Sequence, residues 1–337
     1  MRAMESNNLR EGDYIETLEH LIFSVKGLFH PEGRTVAYLR YVPDLNGERK
    51  RKDGMRFRRV YELRDTTNYL RKYFPKYLYS DEKSNMILQA VPNVLILRTY
   101  KPVDGWAGRE NSQSELAGIA VRFIDTLCKE ARVPTHSIGV SGSLLLGLAG
   151  PSSDIDLVAY GSQHCLRVYE ALRQLRVRGD QILPYDEHSV MIVLKERWQE
   201  TGLDLGKMAK TEMNKILHGV IDQRGYFIRL VKDWDDENDG TGTFEPLGSA
   251  IIRAEIVDDQ DSIFTPCSYM IKNCRYLIGS ATEPVKELVS FRGKFAEQAK
   301  KGDLMEARGK LERVLSKKEG HIRLLLGSPK DYLIAAG

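Results

Sequence analysis

The chain has no long apolar run. Its longest stretches, such as "VMIVL" at 190–194, reach about half a dozen residues, where a membrane-spanning helix needs about 20. A helical membrane protein is therefore excluded. The first residues, "MRAMESNNLREGDYIE", lack the apolar segment of a secretory signal, so a cytoplasmic location with no membrane partner is expected. Cysteine is scarce: Cys128, Cys165, Cys267 and Cys274 form no CxxC pair and stand at no zinc-finger spacing from a histidine. Buried free thiols are the expectation. Charge of one sign is missing as well, since 50 basic against 47 acidic residues leave only +3, too little for the total to name a partner. No steady repeat runs along the chain, which argues against a solenoid or propeller. Two common catalytic motifs are also absent. No lysine follows the glycines around 142 as a Walker A loop requires, and in "GVSGS" Ser143 occupies the last glycine position of the G-x-S-x-G elbow.

What is present is an ordinary globular composition of 337 residues, enough for two or three cores. Residues 1–110 read as β-rich with one helix. "HLIFSVKGLFHPEGRTVAYLRYV" predicts two strands around a turn at His30–Gly33, Asp65–Phe74 predicts a helix stopped at Pro75, and "NVLILRTY" predicts a strand. "YIETLEHL" fits helix and strand spacing equally well. Residues 111–235 alternate helix and strand. Ser112-Gln113-Ser114-Glu115 has the pattern of a capping box opening a helix with Leu116, Ile119, Ala120, Phe123 and Leu127 on one face. "HSIGV", "DIDLVAY", "SVMIVL" and "YFIRLV" predict strands, with helices from Ser162 and over "LGKMAKTEMNKILHG". The acidic "DWDDENDGTGTFEPLG" predicts a linker or long loop, and its glycine and glutamate do not fall at calcium-loop spacing. Beyond it, residues 236–337 read as a run of short strands forming a compact, barrel-like β domain.

Chemistry concentrates in "GVSGSLLLGLAGPSSDIDLVAYG", Gly139–Gly161. Asp154 and Asp156 are two apart on a predicted strand, so both side chains leave the same face. Adjacent carboxylates repel unless a cation lies between them, and Mg²⁺ takes one or two carboxylates together with substrate phosphates. Gly142 and Ser143 end ten residues before Asp154, and "LLLGLA" after them has helical character. A strand-to-helix turn there offers unpaired N–H groups to a phosphate, with Gly142 admitting close approach and Ser143 adding a hydroxyl donor. A phosphate cradle facing a metal platform is what phosphoryl or nucleotidyl transfer requires.

A small apolar residue, Gly-Ser, nine residues and "SDIDLV" resemble the nucleotidyltransferase signature of the DNA polymerase β superfamily, closely over residues 137–161 and loosely through about 235. The whole chain also resembles archaeal proteins called predicted nucleotidyltransferases. The resemblance implies an α/β (α+β) fold, with a central polymerase-β-like mixed sheet flanked by β-rich N- and C-terminal domains. It implies an NTP substrate with Mg²⁺ or Mn²⁺, and attack of an acceptor hydroxyl on the α-phosphate. In that scheme Gly142 and Ser143 hold the nucleotide phosphates and Asp154 and Asp156 ligate the metal. Members of the superfamily usually carry a third carboxylate on a later strand, as base or shared ligand. In "YFIRLVKDW" the interior holds Arg229 instead, and alternation with Phe227, Arg229 and Val231 makes Asp233 the nearest catalytic candidate, ahead of Asp204 and Asp186.

"RKRKDGMRFRR" carries Arg49, Lys50, Arg51, Lys52, Arg56, Arg58 and Arg59 around Asp53-Gly54, as a hairpin tip with charged flanks would. A tip lying along an RNA or DNA backbone and a solvated basic loop are both consistent with it. "NYLRKYFPKYLY" sets Tyr69, Tyr73, Tyr77 and Tyr79 among cations, either to stack on unpaired bases or to pack in a core. The sequence thus leads to a nucleotidyltransferase moving a nucleoside monophosphate from NTP to a hydroxyl, with a nucleic-acid 3′ end as the preferred acceptor. The alternative is a nucleotide- or RNA-binding protein on the same scaffold without turnover.

Overall fold

The computed structural model describes residues 9–60, 62–81, 86–104, 114–179, 181–236, 243–315 and 320–336. They form a mixed α/β chain with three sheets. The first sheet contains β1 (Tyr14–Thr17), β2 (Ile22–Val25), β3 (Arg34–Pro43), β4 (Arg49–Lys50) and β5 (Arg56–Arg59). After helix α1 (Leu63–Tyr73) come β6 (Leu78–Asp81), β7 (Met86–Pro92) and β8 (Ile96–Tyr100). The order is β4-β5-β3-β2-β1-β8, with β7 pairing β3 and β6 pairing β7. The ambiguous "YIETLEHL" contributes β1, whose Ile15 and Glu16 are both buried.

Strand alternation gives this sheet two buried faces. On one, Ile15, Phe23, Val25, Leu39 and Val42 pack with Leu70 and Tyr77 from α1 and the turn that follows it. On the other, Ile22, Tyr41 and Phe57 gather Leu146 and Leu148, with Tyr14, Met55 and Tyr100 at the border. The tyrosine-rich stretch is divided accordingly. Tyr77 is fully buried and donates to Glu19, Tyr69 packs against the first core, and Tyr73 is more than half exposed.

The middle of the chain runs α2 (Glu115–Ala131), β9 (Ile138–Val140), α3 (Gly142–Leu145), β10 (Ile155–Tyr160), α4 (Ser162–Arg178), β11 (Ile182–Leu183), α5 (Glu187–Trp198), α6 (Leu205–Asn214), β12 (His218–Ile221) and β13 (Arg224–Val231). Its strands take the order β11-β12-β13-β10-β9. Helix α2 begins at Glu115, where the Ala117 N–H donates to Ser114 Oγ at 3.2 Å. Ser112 and Gln113, the first half of the expected capping box, lie outside the described residues.

"SVMIVL", expected as a strand, lies within α5. Val190, Leu194 and Trp198 are buried at four-residue spacing while Ile192 is about half exposed, so the burial period is helical. Asp186 starts the helix by accepting from the Ser189 N–H at 2.7 Å. β-branched content suggested a strand, and tertiary packing with the cap overrode it.

The third sheet contains β14 (Thr243–Asp258), β15 (Cys267–Ile278), β16 (Val285–Ser290), β17 (Leu304–Leu315), β18 (His321–Leu325) and β19 (Tyr332–Ala335). Since β14 pairs with both β15 and β17, strands β14-β15-β16-β18-β17 close into a ring, with β19 attached to β17. The barrel-like expectation holds, and closure removes the open edges of most of its strands. The "TFEPLG" part of the expected linker is the start of β14, paired in register with β17 and interrupted by a bulge at Pro246–Gly248. Three of the four cysteines are buried and none of the four is in a disulfide. Among the described residues no helix is long and apolar enough to cross a membrane.

The described residues divide into two compact units, one drawn from 1–81, 86–124 and 134–158, the other from 125–133 and 159–336. The core of the second unit is not purely apolar. Glu212, 1% exposed, faces Lys215 Nζ at 2.9 Å and Arg197 Nη1 at 3.2 Å, with His218 Nδ1 at 3.8 Å. His218 Nε2 stands 3.0 Å from the Glu212 carbonyl oxygen, which can only accept. That nitrogen therefore carries the proton, and Nδ1 accepts from Arg197 at 3.3 Å. The imidazole is neutral in the fold, and burial pushes its pKa from the usual 6.5 down to about 4.

Because the unfolded chain takes up a proton near pH 6.5 and the folded one does not until about 4, this stabilisation is complete above 6.5 and lost as pH falls toward 4. Asp13 in the other unit has the opposite sign, since burial raises it to about 7. The informative quantity is accordingly a difference between proteins. Between pH 7.5 and 4.5 the wild type should lose about 2–3 kcal/mol more than His218→Gln in urea unfolding. Equal losses would show that His218 is not the titrating group.

Candidate active site

Strand β9 ends at Val140 and the chain turns sharply at Ser141. Its N–H donates to the Asp156 carbonyl at 2.8 Å, tying the turn to β10, and its hydroxyl donates to the Gly12 carbonyl at 2.9 Å. Gly142 follows at φ +59°, a left-handed conformation that side chains resist. A Cβ on Gly142 would lie 2.1 Å from Asp156 Oδ2 and 2.9 Å from its Cγ. Glycine is required twice over, by conformation and by the carboxylate resting on it. The two half-motifs read from the sequence are thus in contact.

The helix expected after Gly-Ser is a single turn. Helix α3 covers only Gly142–Leu145, and Gly147, at φ +66°, reverses the chain. Leu146 and Leu148 are buried in the cluster with Ile22, Tyr41 and Phe57 instead of continuing a helix. So short a helix has little macrodipole, and what the turn offers a phosphate is its first N–H groups and the Ser143 hydroxyl. Ser143 is nearly buried, Asp156 half-buried and Asp154 exposed. Asp154 immediately precedes β10 and Asp156 is its second residue, with Ile155 and Leu157 buried on the other face.

The return from Gly147 to Asp154 is held by the first sheet. Arg49 Nη1 donates to Ser153 Oγ at 2.9 Å and lies 3.5 Å from the Leu148 carbonyl oxygen, and Ser153 Oγ accepts from the Gly150 N–H at 2.9 Å. A Cβ at Gly150 would come within 2.8 Å of the Arg49 guanidinium. Tyr41 completes the wall. Burial pushes its phenol up to about 12, and Arg59, Tyr14, Arg49 and Asp156 all act on it electrostatically. Arg59 is the cross-strand partner of Tyr41, so the two side chains share a face. Tyr41, Arg49 and Arg59 thus border the site. The basic run flagged two of them only as charge, and nothing in the local pattern singled out Tyr41.

The remaining acidic candidates lie elsewhere. Asp204 and Asp186 cap α6 and α5 by accepting the Gly206 and Ser189 N–H groups. Asp233 follows β13, and its carboxylate would come 2.9 Å from a Cβ on Gly161, the residue after β10. Neighbouring Asp236 accepts from the Ser162 N–H at 3.1 Å, at the start of α4. Arg229 stacks on Phe227, its guanidinium 5.8 Å from the ring centre. Among the described residues no three His, Cys, Asp or Glu side chains converge as a metal site. Two carboxylates without nitrogen or sulfur suit a hard cation such as Mg²⁺ or Mn²⁺ whose other ligands come from a bound phosphate.

A mixed α/β chain with three sheets and a Gly-Ser turn seated on an Asp-x-Asp strand is the class that fold and site define. It is 31% identical over 335 residues to the uncharacterized protein MJ1086 of Methanocaldococcus jannaschii, with 96% of each chain covered, and it belongs to that protein's family. No protein-family model and no solved structure matches the chain.

Gly142→Ala tests the contact at the centre of the site. The substitution should cost about 1–3 kcal/mol in denaturant unfolding, through left-handed strain and displacement of Asp156. Gly147→Ala, also left-handed but with nothing closer than 4.0 Å, should cost less. Equal costs would mean that the Asp156 contact adds nothing.

Proposed function

We propose that the protein is a Mg²⁺-dependent nucleotidyltransferase of polymerase-β-like type, acting from the Gly142–Asp156 site. The observation that carries the reading is the contact between the Asp156 carboxylate and Gly142, which joins the glycine turn to one acid of the Asp-x-Asp pair and supports reading them as phosphate cradle and metal ligand. Gly142 admits the nucleotide phosphates to the backbone, and the Ser143 hydroxyl donates to them. Asp154 and Asp156 hold the cation. When bound, the cation neutralises charge on the phosphates and on the departing pyrophosphate. The acceptor hydroxyl gives up its proton to water, and its oxygen bonds to the α-phosphorus as the bond to pyrophosphate breaks.

The chain's own contribution is orientation. Ser141 locks the turn to β10 through its N–H, and Arg49 holds the return segment through Ser153. Positioning of this kind supplies a large part of the barrier reduction when reactants are held in line.

A second reading has one observation in its favour. Arg229 stands within β13, the later strand on which a third carboxylate to take the acceptor proton is expected. A nucleotide-binding protein without turnover is consistent with that placement. Pyrophosphate release with NTP, Mg²⁺ and mixed RNA decides between the two when paired with calorimetry of NTP binding. Under the first reading Asp154→Ala/Asp156→Ala abolishes release, by about 10³-fold or more, since charge stabilisation by the bound ion is worth several kcal/mol. Mg²⁺-dependent binding with no release from the wild type supports the second, and release that survives the double substitution refutes the site.

A further inference from the structure

The β4–β5 hairpin is fixed in place by two of its own arginines. Arg49 reaches Ser153 Oγ and the Leu148 carbonyl in the return segment before Asp154. Arg51 donates from Nη1 to Glu16 Oε2 at 2.9 Å and to the Tyr100 hydroxyl at 3.3 Å. Glu16 is 1% exposed, and although burial raises its pKa, hydrogen bonds from Arg51, Tyr100 and His20 outweigh that and hold it below the usual carboxylate range. The ion pair therefore persists at neutral pH. The return segment is shaped to receive the hairpin: Arg51 Cγ lies 4.0 Å from the Cβ position of Gly147, and Arg49 Nη1 2.8 Å from that of Gly150.

Anchoring separates the seven cations into two sets. Arg49 and Arg51 are partly buried, while Lys50, Lys52, Arg56, Arg58 and Arg59 are exposed. Arg56 reaches the Gly47 carbonyl and Arg58 the Asp44 carboxylate, which holds those side chains along the hairpin. A solvated basic loop would spread such charge and move freely. Here it is concentrated on a two-stranded arm whose base is bonded to the segment leading into Asp154.

We propose that this hairpin is the guide for a single-stranded nucleic acid, binding its phosphates at Lys50 and Lys52 and leading its 3′ hydroxyl toward Asp154. The acceptor role rests on the transfer reading above. The binding itself does not, because it needs neither NTP nor metal. Arg49 and Arg51 act as positioning residues.

Fluorescence anisotropy with a labelled single-stranded RNA, without NTP or Mg²⁺, between about 50 and 200 mM salt, is the test. The wild type should bind with a steep salt dependence. Lys50→Glu/Lys52→Glu should bind about tenfold more weakly or worse, with a log–log salt slope shallower by about 1.4, as loss of two phosphate contacts on a single strand requires. Lys300→Glu/Lys301→Glu, the same charge change at exposed lysines before β17, should bind as the wild type does. The proposal is overturned if the wild type does not bind, if the hairpin variant binds unchanged, or if the control loses as much. Calorimetry of the wild type with NTP and Mg²⁺ separates the two claims. Absence of NTP binding in the wild type, with the RNA results as expected, removes the transfer reading and leaves the hairpin in place.

Discussion

A carboxylate resting on an α-carbon that has no side chain is the constraint around which the first unit is arranged. Asp156 can lie there because Gly142 takes a left-handed conformation and offers no Cβ. With β9 and β10 joined at this point, the intervening residues must leave the turn and come back to Asp154 within a short span. A long helix does not fit that path. The chain makes one helical turn, reverses at Gly147 and buries Leu146 and Leu148 as it returns.

Those two leucines need an apolar surface, and the first sheet supplies it. A strand with one solvated face would show exposed residues alternating with core ones, whereas β2 is buried at every residue and β1 at all but its first. One face carries the core shared with α1. The other carries Ile22, Tyr41 and Phe57 against the return segment, with Arg49, Arg51 and Glu16 at its margin. Charged groups at such a border persist because each is paired and hydrogen-bonded, which offsets the cost of removing it from water. The second unit applies the same rule inside its core, where Glu212 is surrounded by Lys215, Arg197 and a neutral His218.

Local signals were legible where a single element decides the outcome. The β3 strand, the α1 stop before Pro75, the basic hairpin and the run of C-terminal strands follow from residue type and turn chemistry. "SVMIVL" was misleading because β-branched residues suit a strand until a cap at Asp186 and burial every fourth residue select a helix. "TFEPLG" looked like a linker because its glycine and proline usually punctuate, yet a bulge accommodates both inside β14. Asp204 and Asp186 were considered as acids for chemistry and serve as helix caps, which for Asp204 its position just before a predicted helix already suggests, whereas Asp186 precedes a segment that reads as a strand.

The sequence by itself determined that an Asp-x-Asp pair stands at the start of a strand, that Gly142 and Ser143 form a turn, and that seven cations crowd one hairpin. Each of these follows from residues adjacent in the chain, whose relative positions are set by backbone geometry alone. Only the tertiary structure decided that the carboxylate of Asp156 lies on Gly142, that Arg49 crosses to Ser153, and that Tyr41 stands beside Arg59 near the site. Contacts between segments as many as 129 residues apart depend on strand register and on which faces are buried together, and no local pattern carries that information.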